Sequence, residues 1–152
     1  GTRGAFAGSG TTYTLAVTPT GGADVTVEVA ANSVTDGLNT GPALAVSATA
    51  TWDATVLTVT IQGVPAKINS TTAFNAEFVF SEAVTGFDDD DITIAGGTEG
   101  AFAGSGTTYT LAVTPTGSAN VVVTVAADAA TDGLNTGPAS AVSKMATWDV
   151  AA

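Results

Sequence analysis

GAFAGSGTTYTLAVTPTG spans Gly4–Gly21, and the same eighteen letters recur at Gly100–Gly117. The offset is 96 residues. Carried on to Asp53 and Asp149, the alignment keeps 40 of 50 positions, differing only at 22, 24, 26, 28, 32, 33, 34, 44, 48 and 49. A period near 100 residues is too long for a solenoid repeat of roughly 20 to 50 residues and equals one β-sandwich domain per repeat. Residues 54–149 form one complete unit, and residues 1–53 match only the second half of a unit. The chain therefore reads as one and a half modules in tandem: the C-terminal half of a preceding module at 1–53 and a complete module at 54–152.

Within the complete unit the pattern predicts seven short strands: 56–61, 73–81, 91–95, 101–103, 108–114, 120–126 and 140–148. Alternation in the second puts Phe74, Ala76, Phe78 and Phe80 on one face, with Asn75 and Glu77 on the other. The fifth turns Tyr109, Leu111 and Val113 inward, and the sixth Val121, Val123 and Val125. Gly, Pro, Asn and Asp punctuate these runs, which argues for an all-β antiparallel sandwich. The two copies test the assignment. Val25, Val27 and Val29 match Val121, Val123 and Val125, whereas Asp24, Thr26 and Glu28 face Asn120, Val122 and Thr124. Variation on one face alone is expected where the other face is core. In the last strand Leu44 and Ser140 share parity with Val46 and Trp52, and a bulge is the expected explanation.

Composition narrows the function. Fourteen acids stand against Arg3, Lys67 and Lys144, a net charge of −11 that repels nucleic acid and anionic membrane surfaces. There is no Cys and no His, which removes thiol chemistry, Cys/His zinc sites and a triad base. No apolar run reaches the roughly 18 residues of a membrane span, and no signal peptide is visible. A tandemly copied module with its acids on one rim is not an enzyme pattern, so no catalytic activity is expected.

VPAKINSTTAFNAEFVFSEAVTGF at 64–87, DDITIAGG at 90–97 and AADAATDGLNTGPASAVS at 126–143 resemble the bacterial Ig-like modules repeated in large surface and biofilm-associated adhesins. The resemblance covers the unit at 54–149 and the half unit before it. It implies an immunoglobulin-like sandwich, export to the bacterial cell surface or medium, a stalk or adhesive role, and calcium at module junctions.

Antiparallel order brings the 82–90 loop, the 104–106 turn, the 128–137 loop and the incoming 52–55 segment to one end of the sandwich. Asp88, Asp90 and Asp91 of the GFDDDDI run, Asp132 and Asn135 of the later loop, and Asp53 thus form the expected ligand set. Carboxylates with amide and backbone oxygens suit calcium, which takes six to eight oxygens, better than magnesium, which keeps its waters. Trp52 and Trp148 share a repeat position, where module-boundary packing competes with a sugar platform.

The expected function is an extracellular stalk or filament of Ig-like repeats stiffened by calcium at each junction. The alternative is a carbohydrate- or ligand-binding module of a surface adhesin. The expected partners are neighbouring modules, with no nucleic acid and no membrane insertion. Residues 1–53 lack the first three strands, so the half module is either cut from a longer array or completed by another chain through strand exchange.

Overall fold

β-Branched Val and Thr fill Val121–Val125, and the chain runs extended there, with the three odd-numbered valines buried and the two residues between them half-buried. The same logic recurs along a computed structural model that describes residues 1–150 and divides into two compact units, Gly1–Ala54 and Thr55–Ala152.

The first unit holds β1 (Thr2–Ser9), β2 (Thr12–Thr18), β3 (Val25–Val29), β4 (Val34–Thr35), β5 (Thr40–Gly41) and β6 (Val46–Ala50). These form three antiparallel pairs, β1–β2, β3–β6 and β4–β5. None of the six strands is fully buried along its length, and most of their residues are exposed.

The second unit holds β7 (Val59–Gln62), β8 (Lys67–Ile68), β9 (Phe74–Val84), β10 (Ile92–Ala95), β11 (Gly97–Pro115), β12 (Val121–Val125), β13 (Ala130–Thr131), β14 (Thr136–Gly137) and β15 (Val142–Trp148). One sheet runs β10-β12-β15-β8 and the other β11-β9-β7. Their inner faces share one core, which includes Leu57, Ile61, Phe78, Leu111, Val113 and Val121. This is the immunoglobulin-like sandwich that the sequence predicts. Phe74, Ala76, Phe78 and Phe80 carry the buried parity of β9, and Tyr109, Leu111 and Val113 that of β11.

Several elements differ in detail from the expected strands. Residues 97–115 are extended throughout, yet the chain folds back on itself. The Thr98 hydroxyl donates to the Thr114 carbonyl, and that of Thr110 to the Ala103 carbonyl. A side chain at Gly100 would press on Ala112, so the two arms lie close. The predicted fourth and fifth strands are the arms of this hairpin, and the first arm is longer than expected. Gly96, at φ +71°, makes the turn from β10 into it, where an added Cβ would run into the Asn120 carbonyl.

The last strand begins at Val142 and pairs with β12 in unbroken register from Val121↔Ala146 to Val125↔Val142. Ser140 lies before it and is exposed, so its parity needs no bulge. At its far end β15 also pairs in parallel with β8, Thr147 against Lys67 and Trp148 against Ile68. That short edge strand was not expected. Among the described residues no helix is long and apolar enough to cross a membrane.

Candidate metal centre

The acidic loop begins from a buried aromatic. Phe87 packs edge-on against Phe80 at 4.9 Å, Tyr109 at 5.1 Å and Phe78 at 5.5 Å between ring centroids. Burying a ring of this size is worth about 1.5–3 kcal/mol, enough to pin the loop that follows. Next come four aspartates with no adjacent base in the sequence, and backbone amides meet the carboxylates of two of them, Asp88 and Asp91. Asp89–Asp91 form one 3₁₀ turn capped by Asp88. The Asp88 carboxylate accepts from the Asp90 amide at 3.1 Å, and the Asp91 carboxylate accepts from the Asp88 amide at 3.1 Å. This reciprocal capping box satisfies two donors at a turn that has no helical partners for them.

The loop between β12 and β15 follows a second local rule. β13 and β14 pair Ala130↔Gly137 and Thr131↔Thr136, closing a tight loop around Asp132. One oxygen of Asp132 accepts from the amides of Leu134 and Asn135, each at 2.8 Å. The amide of Asn135, then that of Leu134, holds the Asp132 carboxyl below the usual carboxylate range. Asp36 has the same two bonds, to Asn39 and Leu38, and the same downward shift.

Backbone bonds tie the two loops together. Thr85 and Thr131 form an isolated bridge, exchanging amide-to-carbonyl bonds of 2.8 and 3.0 Å. The Ala126 amide, where β12 ends, donates to the Asp91 carbonyl. Gly106 pairs with Val84, so the hairpin turn of β11 reaches the same end. As a result the carboxylates of Glu82 and Asp132 approach within 4.8 Å, both half-buried. Among the described residues the one ion pair joins Lys67 to Asp149, and no lysine pairs with Glu82 or Asp132.

Of the residues named from sequence, Asp132 and Asn135 share one loop with Asn135 half-buried beside its partner. Asp88 and Asp91 face each other's backbone through the cap, and Asp90 is exposed. Asp53 is half-buried in the segment that follows β6 and precedes the second unit. Glu82 was not among the expected ligands. Its signal was present: it shares parity with Phe78, Phe80 and Val84, so a carboxylate sits on the core-facing side of β9 near its end.

Oxygen donors alone, with two half-buried carboxylates close together, are the chemistry of a hard divalent cation. Trp148, half-buried, donates its backbone amide to the Asn120 side-chain oxygen at 2.8 Å and lies near Gly117, whereas Trp52 is exposed.

Residues 53–148 match the bacterial Ig-like domain family. No curated protein and no solved structure matches the chain.

Proposed function

The chain belongs to the bacterial Ig-like domain family, a structural and non-catalytic one whose members serve as surface modules, and we propose that it is a segment of an extracellular adhesive stalk built from tandem repeats. Support for tandem assembly comes from the 96-residue repeat, which keeps 40 of 50 positions between 4–53 and 100–149. We further propose that calcium binds at the loop end of each module and stiffens its junction with the next.

The observation that carries the calcium reading is the approach of Glu82 and Asp132 with no lysine beside them. Two like charges that close repel, and a cation between them relieves the repulsion. Glu82 and Asp132 would hold the ion, with the Asn135 amide oxygen. Asp88, Asp90 and Asp91 would raise the negative potential of the same rim, drawing the cation in. When bound, calcium supplies positive charge and a rigid link. The protein's part is to fix the two loops through the Thr85–Thr131 bridge and the Phe87 anchor.

Extracellular calcium modules bind at about 10⁻⁴ to 10⁻³ M. At about 10 mM calcium such a site adds roughly 1.5–2.5 kcal/mol by mass action. The melting temperature of the second unit should therefore rise by roughly 5 °C or more over chelator. Glu82→Gln with Asp132→Asn should abolish the rise. Identical melting curves in calcium and chelator would dismiss the ion. The stalk reading is tested by small-angle scattering on a protein of two complete modules. Its maximum dimension should grow with calcium, and an unchanged dimension would remove the stiffening role.

A further inference from the structure

Residues 142–146 of β15 have a second strand edge that stays open among the described residues. β12 takes one edge in unbroken register, and β8 meets the other only at Thr147 and Trp148. The amides of Thr147 and Asp149 donate to the carbonyls of Ala66 and Ile68, on the β8 side. Alternate amides along a strand face the same edge, so those of Ser143 and Met145 point the same way, beyond the reach of β8.

An edge of this kind is a template for another chain's strand. Its sequence, Val-Ser-Lys-Met-Ala, holds no proline and a single charge, that of Lys144. Met145 is 50% exposed and stands opposite Val122, so an apolar pair lies beside the edge. Without Lys144 the stretch would have the composition of an edge that aggregates.

Lys144 sits where a lysine is least expected. It stands opposite Val123, which is 0% exposed, and two residues before Ala146, also 0% exposed, so its parity faces the core. Yet Lys144 is exposed, and among the described residues it joins no ion pair. With the core beneath and β12 on one flank, its ammonium reaches water over the open edge. The strand does not need this lysine in order to form. β6 pairs with β3 in the same register shifted by 96 and carries Ala48 at that position.

We propose that Lys144 bars a second copy of this chain from pairing along the β15 edge. Lys144 is the central residue of the open stretch, so two copies in antiparallel, two-fold related pairing set Lys144 against Lys144. With Ser143 and Met145 supplying the hydrogen bonds, the two lysines form a non-hydrogen-bonded pair, the kind in which facing side chains lie closest. Like charges directly opposite destabilise a strand pair. Pairing would also take both ammoniums out of water, with no carboxylate in 142–148 to receive them. This barrier requires no metal and no tandem neighbour, so it stands apart from the calcium and stalk readings.

The test is Lys144→Ala in the 152-residue chain, the residue that the first copy already carries. Amide exchange is followed by residue at a low and a high protein concentration. In the wild type the Ser143 and Met145 amides should exchange fast at both. In Lys144→Ala they should slow by about 10-fold between about 10 μM and about 1 mM, as the sedimentation coefficient rises toward that of a dimer. Lys144→Glu, which restores a like-charge pair of the other sign, should behave as the wild type does. The Val121 and Val123 amides report the fold and should stay slow in all three chains. A Lys144→Ala chain whose Ser143 and Met145 amides stay fast overturns the proposal, whether or not it associates through another surface. So does pairing of Lys144→Glu at this edge, because the charge would not then be the barrier. Slow Ser143 and Met145 amides in the dilute wild type would overturn it as well, since the edge would already be covered.

Discussion

Tyr13 and Tyr109 hold the same place in the same eighteen-residue stretch, yet Tyr13 is 54% exposed and Tyr109 only 6%. Both stack on the phenylalanine seven residues before them. Only Tyr109 has Phe80 and Phe87 edge-on to its ring, and only its hydroxyl reaches a buried acceptor, the Val84 carbonyl at 3.1 Å. Identical residues thus make identical hairpins, while the segment laid over them decides whether those hairpins are core. Local conformation and burial are separable here, because the first depends on nearby residues and the second on residues up to 50 positions away.

The comparison is most exposed to a pair of truncations. Leu111→Ala removes a fully buried side chain and should cost about 2–5 kcal/mol in urea denaturation of the second unit. Leu15→Ala, at the matching half-buried position, should cost less than about 1 kcal/mol. Equal costs would mean that the first unit's exposed strands are covered in solution.

A gentler pair sharpens the same point. Tyr109→Phe leaves the Val84 carbonyl without its donor and should cost about 1 kcal/mol. Tyr13→Phe should fall within about 0.5 kcal/mol of neutral. The smallest effect should be common to both units, because Asp36 and Asp132 make the same turn bonds. Their carboxyls lie below the usual range when folded, so the stabilisation is complete above the unfolded value of about 3.9 and fades as pH falls through the lower folded value. The stability gap between wild type and Asp132→Asn, or Asp36→Asn, should therefore be constant from pH 7 to about 5 and shrink below about 4. A gap that widened on acidification would contradict the turn assignment.

Much of this was legible in the letters. Val121, Val123 and Val125 were readable as core because their copies vary only on the opposite face, and period two leaves no other choice of side. The meeting of the Asp132 loop with the loop after β9 followed from antiparallel order and is realised as the Thr85–Thr131 bridge. Phe87 was not legible as core, since it lies outside any periodic run. Nor was the capping of Asp88 and Asp91 by each other's backbone, because four identical residues in a row give no clue to which face each takes. Glu82 was readable by parity and was missed because a charged residue on a core-facing position looks like a strand end.

The sequence by itself determined the strands, the hairpins and the two Asx turns, because these rest on φ/ψ preference and bonds spanning a few residues. It determined them twice, in the same register, at an offset of 96. Only the tertiary structure decided which of the two copies is buried and which carboxylates approach one another. Burial requires a second sheet to exclude water from the first, and the strands that do so in the second unit, β7 and β9, come from residues with no equivalent in 1–53.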